Sequence, residues 1–392
     1  MGKYNFDNPV QRRGSGCLKW DRCDEDTLPF WIADMDFEVA PEIKKQMQQR
    51  LDHGIFGYSM MFENFYGSAC SWMERRFGFR PDPSWCMHSP GIVSFLHFLC
   101  KGFLKPGDKV LMQMPVYHHF FGAAQKNGLE VLENCLLLQD GRYEIDFDDF
   151  AAKAKDPATK VFFLCNPHNP GGRMWTREEL LRMGNICLEN HVVVVADEIH
   201  CDLVYKHHGK KHIPFVSLSP EIAMNSITCM APSKTFNLAG LQTSVILIPN
   251  PELRQRYASV LDTLGILRPN TFGITALPAA YENGEPWLEE LLDYLEGNLN
   301  FFRSWMKENL PMVKMMEPDA SYLVWMDFRA LNVDSVALHD LLLKQGKIWL
   351  EEGYIFGTAG SGFERFNLAC PRARVEEGLK RMKQGLEKAG LI

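Results

Sequence analysis

The sequence contains no apolar run of the length that crosses a membrane, and it carries no excess of positive charge. A spanning helix needs about 20 consecutive apolar residues. The polar segment 1–20, which includes Arg12 and Arg13, also lacks the apolar core of a signal peptide. The formal net charge of −7 disfavours nonspecific binding to nucleic acid. These absences predict a cytoplasmic protein with no nucleic-acid partner and no membrane partner.

The chain also lacks the usual sequence patterns of disulfides and metal sites. Its 11 cysteines form no C-x-x-C pair and no Cys/His zinc spacing, and many lie inside apolar runs, as Cys165 does. That placement is typical of reduced, buried thiols. His118 and His119 are read as neighbours in a strand, where they would point to opposite faces, and 206–212 is read as a solvated basic loop. We therefore expect no metal site.

The chain does contain a repeated alternation of strands and helices between residues 86 and 248. This alternation predicts an α/β domain with a mainly parallel sheet. Apolar runs predict its strands at 86–89, 109–114, 161–165, 192–196 and 227–231.

Beyond about residue 278 the pattern has fewer strands and more helix, which predicts a smaller α+β domain. A long helix is expected at 286–309, broken near Gly297. We assign residues 41–280 to the large domain, and residues 1–40 and 281–392 to an N-terminal arm plus the small domain.

Lys234 follows a predicted buried strand and has apolar neighbours on both sides, such as Ala231 and Phe236. Partial burial lowers a lysine pKa and makes the amine nucleophilic. Such a lysine suits a Schiff base with pyridoxal phosphate. The tripeptide S-K-T alone would favour a plain surface lysine, so the assignment depends on the residues upstream.

Three polar side chains follow predicted strands: Asn169, Asp197 and Lys234. Each gap between them can hold a crossover, and ligands bind at the carboxyl ends of parallel strands. The strand–glycine–helix junction at 90–94 can in addition hold a phosphate on free backbone N–H groups, although a plain helix start is the simpler interpretation. These groups are predicted to share one pocket.

Other residues leave two interpretations open. Tyr117 follows a strand, where an aromatic ring can stack on a flat cofactor but more often belongs to the core. Arg365 is an isolated cation in a strand at 363–369, and it can pair with an internal acid or bind a substrate carboxylate. The apolar segment 30–37 is either a packed arm or a wall of the substrate pocket.

Nine motifs, taken together over nearly the whole chain, resemble the fold-type I pyridoxal phosphate enzymes of the aspartate aminotransferase superfamily. Within that superfamily the chain looks like the cystathionine β-lyase and cystalysin-type C–S lyases. The motifs are G-S-G-C-L-K-W-D at 14–21, A-D-M-D-F at 33–37, G-Y at 57–58, P-V-Y at 115–117, N-P-H-N-P at 166–170, D-E-I-H at 197–200, A-P-S-K-T-F-N at 231–237, E-G-Y-I-F-G at 352–357 and R-F-N-L-A at 365–369.

The resemblance implies a large domain with a seven-stranded sheet and a pyridoxal 5′-phosphate cofactor. It implies that Lys234 forms the Schiff base and later moves the Cα proton, and that Asp197 pairs with the pyridinium nitrogen. The remaining implied cofactor contacts are Asn169 at the phenolic oxygen, Tyr117 stacked on the ring, and Gly91, Ile92, Val93 and Ser233 at the phosphate.

The resemblance also implies that Arg365 holds the substrate α-carboxylate. Tyr58 would reach the cofactor phosphate of the neighbouring subunit and act in catalysis and substrate binding there, which makes the protein a homodimer with shared active sites. Two positions depart from the aminotransferase pattern: Gln242 replaces a common arginine at the phosphate, and His200 replaces a common tyrosine near the phenolic oxygen. Both departures recur in the lyase branch, and we count His200 among the cofactor-binding residues.

The implied function is a carbon–sulfur β-lyase that converts cystathionine, cysteine or a cysteine S-conjugate to pyruvate, ammonia and a thiol. The alternatives are an aminotransferase of the same fold, or a regulatory binding protein with secondary lyase activity. An aromatic wall of Trp31, Phe37 and Tyr354 is a further hypothesis, because it would favour an apolar thioether.

Overall fold

The computed structural model describes residues 2–392. No helix among these residues is long and apolar enough to cross a membrane. The α-helices are α1 (Leu18–Asp21), α2 (Pro41–His53), α3 (Glu63–Phe77), α4 (Ile92–Phe103), α5 (His119–Lys126), α6 (Phe147–Ala154), α7 (Arg177–Glu189), α8 (Pro220–Met224), α9 (Pro232–Thr235), α10 (Pro251–Thr263), α11 (Thr271–Asn283), α12 (Glu285–Asn309), α13 (Ser335–Lys344) and α14 (Arg372–Lys388).

The strands are mostly short and form two main sheets and two small ribbons. They are β1 (Leu28–Pro29), β2 (Cys86–Ser89), β3 (Lys109–Met114), β4 (Glu130–Cys135), β5 (Leu137–Gln139), β6 (Arg142–Glu144), β7 (Thr159–Cys165), β8 (Val193–Asp197), β9 (Ser226–Met230), β10 (Ser244–Leu247), β11 (Lys314–Met315), β12 (Leu323–Asp327), β13 (Ile348–Trp349), β14 (Glu351–Glu352) and β15 (Phe363–Asn367).

The large sheet has seven strands in the order β2-β10-β9-β8-β7-β3-β4. All of its neighbouring strands are parallel except β10, which runs antiparallel to both β2 and β9. The central strands are buried on both faces: Phe163 packs with α4 and α5 on one side, and Phe162 packs with α6 and α7 on the other. Continuous burial is what a parallel sheet covered on both faces requires, and the predicted α/β fold is confirmed.

The second sheet has four antiparallel strands in the order β11-β12-β15-β14 and packs with α12, α13 and α14. The boundary predicted between residues 280 and 281 falls inside α11 and stays a prediction. The break predicted near Gly297 is wrong, because α12 is one continuous helix of 25 residues. A single glycine costs a helix only about 1 kcal/mol, and a Cβ here would lie 2.8 Å from the Arg372 guanidinium.

The N-terminal arm crosses the small domain and then reaches the large one. Its strand β1 pairs in parallel with β13, with Leu28 opposite Ile348. The arm carries a buried carboxylate, Asp36, which accepts hydrogen bonds from Arg12 at 2.7 Å and from Trp20 Nε1 at 2.9 Å. Burial raises the pKa of Asp36, but its cationic neighbours, above all Lys19, outweigh burial and lower the pKa to about 2. The motifs at 14–21 and 33–37 thus have a structural role in fixing the arm.

Candidate active site

A cavity of about 570 Å³ lies at the carboxyl ends of β3, β7, β8 and β9, where β14 and β15 of the small domain also approach. The sequence-predicted site residues meet here, with the exception of Tyr58. The predicted residues that line the cavity are Gly91, Ile92, Val93, Tyr117, Asn169, Asp197, His200, Ser233, Lys234 and Arg365. Strand order explains why Tyr117, Asn169, Asp197 and Lys234 lie together, since β3, β7, β8 and β9 are successive neighbours.

Lys234 lies in the short helix α9, directly after β9, and is half-buried on the cavity wall. Its Nζ donates a hydrogen bond of 2.6 Å to the carbonyl oxygen of Ala33 in the arm. The same carbonyl accepts a bond of 3.0 Å from the hydroxyl of Tyr322. Burial lowers the pKa of Lys234 to about 8, although nearby Asp34 opposes the shift. The amine is therefore easier to deprotonate than an ordinary lysine.

Asp197 ends β8, and its carboxylate is buried against the cavity. One carboxylate oxygen accepts a bond of 3.2 Å from the backbone N–H of Ile199. Burial raises the pKa of Asp197 to about 7, despite this bond and the charge of Lys234. A buried carboxylate is stabilised by a cationic or N–H partner, and a protonated pyridine nitrogen meets that need.

The start of α4 forms a cradle for an anion. Gly91 is the N-cap residue, with a φ of 86° that favours glycine, and no atom would lie within 4 Å of a Cβ there. Ile92 and Val93 follow in the first helical turn, whose backbone N–H groups have no partners within the helix. Ser233 and Gln242 lie on the same cavity wall. The cradle fits a phosphate group.

Arg365, on β15, donates three hydrogen bonds inside the cavity through its two terminal nitrogens. Its Nη1 donates to Asn169 Oδ1 at 2.8 Å, and its Nη2 donates to the Trp31 carbonyl oxygen at 2.9 Å and to Glu351 Oε2 at 2.8 Å. Of the two interpretations left open by the sequence, the pairing with an internal acid is present in this structure. The sequence reasoning missed Glu351, although two consecutive glutamates after the apolar run I-W-L were a signal of an unusual position.

His200 is buried beside these charges, and burial lowers its pKa to about 3, so the imidazole is neutral. Its Nδ1 lies 3.3 Å from Ser321 Oγ. Tyr117 packs against His119, with ring centroids 5.0 Å apart. The reading of His118 and His119 as strand residues was wrong: His118 caps α5, His119 begins it, and both line the cavity.

The predicted aromatic wall is only partly present. Trp31 lines the cavity and stacks on Trp349 with ring centroids 4.8 Å apart. Phe37 instead belongs to the core, 5.2 Å from Phe6, and Tyr354 does not line the cavity. The segment 30–37 is both a packed arm and a cavity wall, because Trp31 and Ile32 line the cavity whereas Phe30, Met35 and Phe37 belong to the core.

Tyr58 is fully exposed and does not line the cavity of its own chain. It belongs to an irregular segment, 54–62, between α2 and α3. Ser59 anchors this segment through a contact of 3.0 Å between its Oγ and Thr271 Oγ1. The structure thus separates Tyr58 from the other predicted site residues.

One group of possible metal ligands occurs in the part of the chain that the structure describes. His207, His208 and Glu317 place ligand atoms within 4.8 Å of one another. Arg303 already binds Glu317 through two N–H groups, and Lys206 lies in the same basic loop. These positive charges disfavour a cation, and we assign no metal to the loop.

Comparisons with known proteins agree with this geometry. The chain matches the family described as aminotransferase class I and II over residues 26–382. It is 46% identical over 387 residues to the cystathionine beta-lyase PatB of Bacillus subtilis, covering 97% of this chain and 100% of that protein. It is 33% identical to the protein MalY of Escherichia coli, covering 96% of this chain and 97% of that one.

A solved structure gives the same result for the fold. Cystalysin from Treponema denticola, described as containing a pyridoxal 5′-phosphate cofactor, superposes with a TM-score of 0.95 at 34% identity. That match covers 98% of this chain and 99% of cystalysin. The fold-type I architecture expected from the sequence motifs is confirmed. The extent of the family match and the identity to its relatives show that the chain belongs to the class I and II aminotransferase family.

Proposed function

We propose that the protein is a pyridoxal phosphate-dependent carbon–sulfur β-lyase. It eliminates the thiol of cystathionine, cysteine or a cysteine S-conjugate and forms pyruvate and ammonia. The observation that carries the proposal is one cavity that unites a lysine of lowered pKa, a buried carboxylate and an anion cradle. The relative named cystathionine beta-lyase, 46% identical over its whole length, supports the choice of reaction.

The residues of the cavity fit pyridoxal phosphate. We assign the phosphate to Gly91, Ile92, Val93 and Ser233, and the pyridine nitrogen to Asp197. The remaining contacts that we assign to the ring are Asn169 and His200 near the phenolic oxygen, Tyr117 against the face, and Lys234 at the aldehyde carbon. When bound there, the cofactor supplies an electron-accepting ring that stabilises negative charge at the substrate Cα.

The protein's own residues then perform the positioning and the proton transfers. Arg365 binds the substrate α-carboxylate and fixes the direction of the Cα–H bond. Lys234, with a pKa near neutrality, takes the Cα proton as a general base. Asp197 keeps its ionised carboxylate against the pyridine nitrogen. The C–S bond breaks, the thiolate leaves and takes up a proton, and the released enamine is hydrolysed to pyruvate and ammonia.

Lyase and aminotransferase chemistry share these residues, so the reaction itself is the test. We expect cystathionine or an S-alkyl cysteine to give pyruvate, ammonia and free thiol in equal amounts with no added keto acid. Pyruvate is measured by coupled reduction and thiol by a chromogenic disulfide. S-Alkyl homocysteine, which lacks a leaving group at Cβ, is the matched control. Stoichiometric amino-group transfer to a supplied keto acid, without pyruvate from any thioether, would make the protein an aminotransferase.

We infer further that a second copy of the chain covers the segment 54–62. Four apolar side chains around Tyr58 are 52% to 65% exposed: Ile55, Phe56, Met60 and Phe62. A cluster of exposed large apolar groups marks an interaction surface. The exposed Tyr58 at its centre supports a partner that takes up this side chain.

The position of the neighbouring groove supports another copy of the chain as the partner. An open groove of about 640 Å³ beside the segment is lined by Leu51 and Leu241, whereas Gln242, the next residue, lines the active-site cavity. A subunit seated on the groove therefore lies next to the cavity. In a twofold dimer the same patch is used by both chains, so we assign Tyr58 to the cofactor phosphate and substrate of the partner's site.

Subunit mixing tests the shared site. Lys234→Ala and Tyr58→Ala homodimers are each expected to be impaired, while their heterodimer has one intact site. Random mixing makes half of the dimers heterodimers, so about a quarter of wild-type activity should return. Lys234→Ala mixed with Asp197→Ala is the control and should recover nothing, because both residues belong to one subunit's site. No recovery in the first mixture, despite exchange seen by native mass spectrometry, would contradict the shared site.

We also place the enzyme in the cytoplasm. All 11 cysteines are free, and most are buried, which supports a reducing compartment.

A further inference from the structure

Glu351 and Arg365 form a buried ion pair inside the cavity. They face each other on β14 and β15, and their side chains are 8% and 3% exposed. Taking two charges out of water is costly, and a buried pair is weak evidence of a stabilising role. The pair also borders the space where the proposed function places the substrate. The position of the pair therefore indicates a role in substrate binding.

The hydrogen bonds of Arg365 show what a substrate carboxylate must displace. A guanidinium offers two edges for bidentate binding, Nε with Nη2 and Nη1 with Nη2. Both hydrogens of Nη2 are in use, one at Glu351 and one at the carbonyl of Trp31. Nε is buried and has no hydrogen-bond partner within residues 2–392. Either edge thus becomes available only when one Nη2 partner leaves.

Glu351 is the partner that can leave. The Trp31 carbonyl belongs to the arm backbone, which Asn367 holds on both sides: its backbone N–H donates to the carbonyl of Phe30, and its Nδ2 donates to the carbonyl of Ile32. Glu351 holds Arg365 by a single side-chain oxygen with rotatable bonds behind it. Once released, its buried carboxylate needs either a new cationic partner or a proton, because an isolated buried charge is costly and burial already raises the pKa of Glu351 to about 7.

We propose that Glu351 is a specificity-determining residue that occupies the substrate's place on Arg365 and selects zwitterionic amino acids over keto acids and other simple carboxylates. The inference rests on the proposed function, which assigns Arg365 to the α-carboxylate. An amino acid brings both a carboxylate for Arg365 and an ammonium group for the displaced Glu351. A keto acid brings only the carboxylate and leaves Glu351 unpaired. Glu351 therefore disfavours the binding of pyruvate as an amino-group acceptor.

The test measures binding of 3-(methylthio)propanoate, a thioether carboxylate with no amino group, to the holoenzyme by calorimetry. Glu351→Gln removes the competing charge at nearly constant size. We expect the affinity of this variant for 3-(methylthio)propanoate to rise about tenfold, which is equivalent to about 1.4 kcal/mol. Glu352→Gln, the adjacent residue that does not contact Arg365, is the matched control and should stay within about twofold of wild type. A gain in affinity is a result that mere loss of structure does not produce.

An unchanged or weaker affinity in Glu351→Gln, with cofactor content and thermal unfolding like wild type, would overturn the inference. The inference would also be overturned if Glu352→Gln gave the same tenfold gain in affinity as Glu351→Gln. Arg365→Gln should remove the binding of 3-(methylthio)propanoate, and persistence of binding there would equally count against the inference. Failure of the proposed function shows separately, as absence of pyruvate from thioether amino acids in the wild-type enzyme.

Discussion

The Lys234→Ala enzyme is expected to lose at least about a thousandfold in turnover, since a positioned base contributes 10² to 10⁴ and the covalent anchor is lost as well. The lysine is the amine of lowered pKa on the cavity wall. Borohydride reduction of the wild-type holoenzyme should fix the cofactor covalently on the peptide that contains Lys234. Mass spectrometry of the digest reads out the label and its position.

Lys101→Ala is the control for this experiment, because Lys101 is an exposed lysine at the end of α4. It should retain wild-type turnover and label Lys234 normally. A Lys234→Ala enzyme that still fixes the cofactor and keeps its activity would show that another amine carries the chemistry.

Asp197→Ala is expected to lower turnover by a hundredfold or more, since preorganised charge at a transition state is often worth ~3 kcal/mol. The buried carboxylate, with its pKa raised to about 7, gains most from a cationic partner in the cavity. Turnover must be expressed per bound cofactor, measured after alkaline release, so that weaker cofactor binding is separated from slower chemistry.

Asp197→Glu keeps the charge but displaces it by one methylene, so its turnover should lie between wild type and Asp197→Ala. Equal turnover per bound cofactor in wild type and Asp197→Ala would remove the proposed role of this carboxylate.

Local sequence patterns predicted the central elements of the fold closely. Strand β3 has the bounds, 109–114, that its apolar run indicated. The edge strand β4 was not predicted. Strand β4 is an edge strand with mixed burial, so its residues E-V-L-E-N-C show no continuous apolar run.

The cavity could be predicted as a set of side chains but not as a set of contacts. Asn169, Asp197 and Lys234 follow strands, and strand ends have a recognisable pattern. The carbonyl of Ala33 accepts a bond from Lys234, and the carbonyl of Trp31 accepts one from Arg365. A backbone carbonyl has no signature in a sequence. Glu351 was missed for a related reason, because its pairing with Arg365 depends on the register of two short strands.

The arm's contacts also determine when, during synthesis, the cavity can exist. The bond from Lys234 to Ala33 joins positions 201 residues apart, and the bond from Arg365 to Trp31 joins positions 334 apart. Contacts so distant along the chain form late, because a long loop must close first. The ribosome has translated nearly the whole message before β15 can meet the arm. The residues of the large sheet therefore leave the ribosome before Arg365 can complete the substrate side of the cavity.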